Sequence, residues 1–353
     1  MKTYSILSAI FLVSVLTSCE NDIPLSIKEN SPKLVINAMI DIDSEENHIY
    51  ISKTGRNSVD SINDAQINIY INGELKEQLT EPLQPDLSIN YRDSIFYHQY
   101  YYHNPYNKRY KTDLRFYPGD KVKIEVFADN NKYHAWAEDI IPKPLEIESI
   151  DTVSYRKEYS TYIRLRTTFT DFPNEKNFYR LALSKKDALQ IKRLKDGVES
   201  HHVYEYEVAT FMDTYQDFVL NDGRIFNEDD IFPLVENRHA IFDDTRLNTT
   251  YSMITSFYRP ENYHHDIGNY NFVERVSIDF KVHLISITEM QYYYLKALNT
   301  IMSGSYDEYI SMPVSYPSNV EGGIGIVGFS AGTYKTFNIP DFIPDTTRWH
   351  GYE

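Results

Sequence analysis

The chain contains one cysteine, Cys19, among 353 residues. A disulfide needs two, so an exported form of this protein must rest on its core and hydrogen bonds alone, and no spaced Cys set exists for zinc. Past residue 19 no hydrophobic run is long enough to cross a bilayer as a helix. Positive charge is also scarce: 35 Lys and Arg stand against 51 Asp and Glu, a formal net charge of −16. A surface of that sign repels phosphate backbones, which argues against nucleic acid as a partner. No long-period repeat and no low-complexity tract interrupts the chain.

What is present begins at the N-terminus. Lys2 precedes an apolar run from Tyr4 to Leu16, too short for a permanent span, and Leu16-Thr17-Ser18-Cys19 comes directly after it. This has the form of a bacterial lipobox, in which small residues before Cys admit the lipoprotein signal peptidase. The Cys19 thiol then carries a diacylglycerol thioether. Residues 1–18 are thus expected to be a signal peptide and 19–31 a lipidated tether. Glu20 and Asp22 form a loose acidic pair after Cys19. It reads either as a surface-export signal or as a solvated tether, and leaves surface or periplasmic facing open.

The 31 Tyr and 18 Phe favour strands and half-buried sheet faces. Lys33–Ile40, His48–Lys53, Ala65–Ile71, Lys121–Ala128 and Tyr133–Ala137 read as strands, with Asn72-Gly73 as a type I′ hairpin turn. Pro142-Lys143-Pro144 reads as a boundary. Beyond it, Tyr162–Thr170, Asn177–Ser184, His202–Ala209, Val276–Ile287 and Ile324–Phe329 read as further strands, and residues 213–250 as loops. Residues 288–302 change to helical period, with Thr288 and Gln291 forming a capping-box pattern and Tyr294, Leu295, Leu298 and Met302 forming the expected core face. The expected fold is mainly β. An N-terminal immunoglobulin-like β-sandwich (32–144) precedes a second β-rich domain (145–353) with one prominent α-helix.

Several segments in order carry a family resemblance. Lys33-Leu34-Val35-Ile36-Asn37 comes soon after the lipobox, Pro118-Gly119-Asp120 precedes a Val-x-Ile-x-Val strand, and Ile140-Ile141-Pro142-x-Pro144 closes the first half. Asp171-Phe172-Pro173 leads to Asn177-Phe178-Tyr179-Arg180-Leu181, and Tyr292-Tyr293-Tyr294-Leu295 and Ser318-Asn319-Val320-Glu321-Gly322-Gly323 come late. This order resembles a Bacteroidota family of lipoproteins known as domain of unknown function four-two-four-nine. The resemblance implies envelope location and no catalytic residues. Members are typically encoded beside TonB-dependent outer-membrane receptors, so it also implies such a β-barrel as partner.

Chemistry-bearing motifs are few. Gly328-Phe329-Ser330-Ala331-Gly332 matches the G-x-S-x-G nucleophile elbow, with Asp341 or Asp345 and His350 as formal triad partners. The next segment, Thr333-Tyr334-Lys335-Thr336-Phe337, is β-like rather than helical, so a structural turn is the expected reading. Gly322-Gly323-x-Gly325 lacks the Lys-Ser or Lys-Thr of a phosphate loop, and its glycines suit close strand approach or a bulge. His201-His202 and His264-His265-Asp266 lack chelating spacing, and Asn227-Glu228-Asp229-Asp230 lacks the alternation and glycine of a calcium loop. The Tyr-rich insert from Gln84 to Tyr110 puts Tyr97, Tyr100, Tyr101, Tyr102 and Tyr106 among His and Asn, a composition suited to a protein interface or to stacking on sugars, or to packing on its own domain.

The expectation is therefore a non-enzymatic outer-membrane lipoprotein. It has no cofactor beyond the lipid on Cys19 and serves as a binding or accessory subunit of a TonB-dependent transporter in nutrient uptake. The alternatives are a structural subunit of an envelope assembly and a cell-surface serine hydrolase using Ser330.

Overall fold

A computed structural model describes residues 31–55, 59–84, 107–157, 160–195, 198–224, 235–247, 249–259, 271–303 and 314–342, with backbone alone at 187–195, 198–199, 201–204, 206, 208, 271–278 and 339–342. The fold is mainly β. The first strands are β1 (Leu34–Asp41), β2 (Asn47–Thr54), β3 (Val59–Asp60), β4 (Ala65–Ile71), β5 (Glu74–Leu79), β6 (Lys108–Thr112), β7 (Lys121–Ala128) and β8 (Tyr133–Ile140). Then come β9 (Ile147–Lys157), β10 (Ser160–Thr170), β11 (Phe178–Lys195), β12 (Val198–Thr210), β13 (Ile241–Asp243), β14 (Thr250–Arg259), β15 (Asn271–Ile287), helix α1 (Glu289–Met302) and β16 (Gly323–Phe342). The chain divides into Met1–Pro32 and a compact unit, Lys33–Glu353.

Nine strands form one large sheet in the order β12-β11-β15-β16-β1-β2-β3, with β13 added to β11 and β6 to β2. A four-stranded sheet (β5-β4-β7-β8) and a three-stranded sheet (β14-β10-β9) pack against it. The 20-residue β16 makes the large sheet continuous. Its first part, Gly323 to Ser330, pairs in parallel with β1, and Ser330 onward pairs antiparallel with β15. Ser330 is the residue at which β16 changes partner.

Alternation explains the layers. On one face of β16, Val327 and Phe329 enter a core with Leu34, Ile36, Ile67 and Ile124, while Phe337 packs on a second core with Leu165, Phe169, Phe280 and Val282. On the opposite face α1 buries Tyr292 and Leu295 against Phe178, Ala182, Ile285 and Ile287. The residues of the two large cores part between Ile141 and Leu145, but both cores lie within the one compact unit Lys33–Glu353. The large sheet runs through both segments because β16 supplies the strand beside β1, so the N-terminal core is completed by Val320, Val327 and Phe329 from the end of the chain.

Local chemistry accounts for the turns and also for two corrections. Asn72 and Gly73 take φ of 53° and 85°, both left-handed as a type I′ turn requires, and join β4 to β5. At α1, Thr288 occupies the N-cap but makes no side-chain capping bond; its hydroxyl accepts the Phe329 N–H at 3.3 Å. Strand β15 runs into the helix with no linker, so Thr288 stays bonded to β16. The buried face of α1 is Gln291, Tyr292, Leu295 and Asn299, while Tyr294 and Leu298 are only partly buried. The helix is turned this way because Asn299 bonds to Asn237 and His239 in the loop before β13.

Candidate functional site

Several residues expected from the sequence to carry function lie outside the described residues: Cys19, Tyr97, Tyr100, Tyr101, Tyr102 and Tyr106, together with His264, His265, Asp266, Asn227 to Asp230, Asp345 and His350. The end of the Tyr-rich insert is described. Tyr110, on β6, is fully buried in the N-terminal core, and burial pushes its hydroxyl up to about 12. Among the described residues no group of three or more His, Cys, Asp or Glu is placed to hold a metal ion, and no helix is long and apolar enough to cross a membrane.

Ser330 does not sit on an elbow. It lies within β16, is 2 % exposed, and its hydroxyl donates to the Ile40 carbonyl at 3.4 Å. A nucleophile elbow needs a sharp turn that presents Ser at the end of a strand. Gly328 is small here because α1 sits on it, and Gly332 because Ile285 of the neighbouring β15 lies against it. A Cβ on Gly328 would come within 3.0 Å of Gln291 Cβ and 3.2 Å of Thr288 Oγ1, and one on Gly332 within 3.2 Å of Ile285 Cγ1. Gly325 marks the close strand approach read from the sequence: its φ is +121°, and a Cβ there would lie 2.0 Å from the Ile36 carbonyl oxygen.

Where α1 ends, the same face of the large sheet becomes polar. Ser184 on β11, Glu207 on β12, Lys281 and His283 on β15 and Tyr334 on β16 form a cluster that sequence reasoning missed. Ser184 Oγ is 2.9 Å from Glu207 Oε1 and 3.3 Å from His283 Nε2. Lys281 Nζ lies 3.1 Å from Glu207 Oε2 and 5.7 Å from the Tyr334 ring centre. Burial would raise the Glu207 carboxyl, but hydrogen bonds from Lys281 and Ser184 hold it below its usual range. Burial pushes His283 down to about 4, against the pull of Glu207, so the imidazole is neutral near pH 7.

These charge states fix the proton directions. An ionised Glu207 only accepts, so Ser184 donates to it and His283 Nε2 donates to Ser184 Oγ. A nucleophilic serine needs the reverse, donating its proton to imidazole. Ser184 is also 0 % exposed. The chain His283–Ser184–Glu207–Lys281 ties β11, β12 and β15 together across the sheet.

At the point where β16 changes partner, a second polar group closes the end of β1. Asp41 N–H donates to Asn47 Oδ1 and Asn47 Nδ2 donates back to the Asp41 carbonyl, each at 2.9 Å. Asp41 Oδ1 accepts from Asp43 N–H at 3.1 Å, and Asp43 Oδ2 accepts from Gly332 N–H at 2.8 Å. Burial pushes the Asp41 carboxyl up to about 6.

A cavity of about 300 Å³ lies beside α1, lined by Asn221, Arg224, Asn237, Tyr292, Lys296 and Asn299 among others. That is the lower end of the size range for small-molecule sites. Its amides are already engaged. Asn237 Nδ2 donates to the carbonyls of Leu220 and Ile241, and Asn299 Nδ2 donates to Asn237 Oδ1 at 2.8 Å. Asn299 Oδ1 accepts the His239 N–H at 3.1 Å. The amides hold the loops onto α1, and Lys296 is engaged by Asp222 at 3.3 Å.

A patch on the outer face of the four-stranded sheet combines charge with aromatics. Glu125 accepts from Tyr70 OH at 3.0 Å, with Lys123 Nζ at 3.0 Å and His134 Nε2 at 3.1 Å. Lys123 Nζ also lies 4.9 Å from the Trp136 ring centre and 5.4 Å from that of Tyr70. Alternation along β4, β7 and β8 was the signal for this patch, since each residue is the outward member of an amphipathic strand.

No curated protein matches the chain. A family profile described as Domain of unknown function (DUF4249) matches residues 20–336. The order of motifs, the mainly β fold and this near-complete match place the chain in one family: it belongs to Domain of unknown function (DUF4249).

Proposed function

We propose that this chain is an outer-membrane lipoprotein, held by lipid on Cys19, that works without catalysis as a binding or accessory subunit of a β-barrel partner of the TonB-dependent transporter class. The observation that carries the reading is at the N-terminus. The lone cysteine closes a lipobox, and the family match begins at residue 20, the position after it. Several acyl chains on one Cys hold a protein at a membrane where a single chain does so only marginally. The non-catalytic part is supported by the two serine constellations. Ser330 is buried within a strand, and Ser184 gives its proton to a carboxylate rather than to imidazole. The partner class rests on the family resemblance.

The test is expression of the wild-type and Cys19→Ala chains with a C-terminal tag in native cells. Wild type is expected to incorporate labelled palmitate and float with outer membranes, and the variant to do neither. Unlabelled wild type would defeat the anchor. Purification of the anchored protein in mild detergent, then mass spectrometry, is expected to recover a stoichiometric TonB-dependent receptor. Recovery of the protein alone would defeat the partner.

A further inference from the structure

Strand β9 is the outer strand of the three-stranded sheet, paired with β10 on one side only. In an antiparallel pair, alternate residues turn their N–H and C=O groups away from the neighbour, so an outer strand presents an open row of donors and acceptors. At the start of β9 that row is occupied, because Lys335 Nζ donates to the Glu148 carbonyl at 2.6 Å. From Ser149 to Lys157 no described residue pairs with it beyond β10.

The strand is exposed on both faces. Only Ile147 is buried, with Ile150 and Tyr155 intermediate, and Val153 is 60 % exposed. Exposed outer strands usually carry a charge, proline or bulge along their length. Here the one register shift lies at the start, opposite Thr168 and Phe169, and the middle is uncharged Thr152-Val153-Ser154. Charge is segregated instead, with acids Glu148 and Asp151 in the first half and bases Arg156 and Lys157 at the end. Asp151 and Lys157 have no ion-pair partner among the described residues.

That polarity selects a partner. We propose that the free edge of β9 docks a second copy of this chain, the two β9 strands pairing antiparallel about a two-fold axis at Ser154. Residues equidistant from Ser154 then face each other. Asp151 lies opposite Lys157 of the other copy, and exposed Val153 opposite its Tyr155, each pair occurring twice. Opposite-charge and aromatic–β-branched cross-strand pairs are both stabilising. A parallel, in-register arrangement would set acid against acid. Tyr155 is held ready, stacked on Tyr162 at 5.6 Å, with the Arg164 guanidinium 5.0 Å from its ring centre and its hydroxyl 3.2 Å from Ser256 Oγ. The two three-stranded sheets become one six-stranded sheet, with an isologous interface that closes on itself.

The test uses residues 20–353, which retain the whole compact unit, in sedimentation equilibrium over about 1 to 500 µM, a range suited to a small interface. A monomer–dimer equilibrium is expected. Asp151→Lys and Lys157→Asp alone should each weaken it about tenfold, since each replaces two attractions with two repulsions. The double variant Asp151→Lys/Lys157→Asp should return to within a few-fold of wild type, because the swap restores both pairs. Backbone amides of Asp151 to Arg156 should gain hydrogen-exchange protection as concentration rises. A chain that stays monomeric throughout, a dimer indifferent to either reversal, or a double variant no tighter than the singles would each overturn the proposal.

Discussion

Replacing Asp41 with Asn is expected to stabilise the protein at neutral pH. Asp41 ends β1, is 9 % exposed, and its carboxyl rises from an ordinary 3.8 to about 6. Burial is the main cause, and Asp43's carboxylate adds to it; the Asp43 N–H and Arg180 oppose it. The folded state therefore holds this proton more tightly than the unfolded chain. Stability from this group is full below about pH 4, falls as pH rises from about 4 to about 6, and stays low above that. Two units at ~1.4 kcal/mol each put the loss at about 3 kcal/mol at pH 7. Asn is neutral throughout and retains an oxygen for the Asp43 N–H. Urea unfolding of wild type and Asp41→Asn from pH 4.5 to 7.5 should show the variant more stable at pH 7 by up to about 3 kcal/mol, with the gap closing toward the acid end. The difference between the two proteins is the quantity to read. Histidines 239 and 283, pushed by burial to about 3 and about 4, make both proteins lose stability as pH falls below their ordinary 6.5. A variant less stable than wild type at pH 7 would refute the reasoning, and so would a pH-independent gap. Either would mean that Arg180 compensates the buried carboxylate.

Three more outcomes rest on the geometry. Gly325→Ala should lower stability by about 3 kcal/mol or more, because φ is +121° and backbone lies 2.0 Å from the added carbon; Gly73→Ala, with φ +85° and open space, should cost about 1 kcal/mol, and thermal melts of the pair separate clash from strain. Asn299→Ala should cost about 1 to 2 kcal/mol, because it strands the buried His239 N–H while Asn237 Oδ1 keeps the Ile241 N–H, and hydrogen exchange at His239 should speed up; unchanged exchange would mean that water replaces the amide. Ser330→Ala should change stability by less than about 1 kcal/mol, since only a 3.4 Å bond is lost, and a serine-directed fluorophosphonate should leave wild-type Ser330 unlabelled in the folded protein.

Much of the strand content is legible from local pattern. Ala65–Ile71 and Lys121–Ala128 match β4 and β7 end to end, because clean alternation and flanking turn residues act over a few positions. The helix at 289–302 is legible for the same reason. Strands β11 and β16 are far longer than their apolar stretches, Asn177–Ser184 and Ile324–Phe329, suggest. The extension of β16 is held by β15, distant in sequence, and that of β11 by β15 on one side and by its own hairpin with β12 on the other, so much of the pairing lies outside any local window. Strand β9 is not legible because only Ile147 is buried; its pairing with β10 defines it, not an apolar face.

The sequence by itself determined the β class, the Asn72-Gly73 turn, the helix at 289–302 and a lone cysteine directly after an apolar run, because each is written in neighbouring residues. Tertiary structure alone decided that β16 completes the N-terminal core from the far end of the chain. It also decided that Gly328 of Gly-x-Ser-x-Gly is a seat for α1, and that Ser184, Glu207, Lys281 and His283 meet on one face. Those facts depend on register between strands far apart in sequence, and register is set by whole sheets packing on one another.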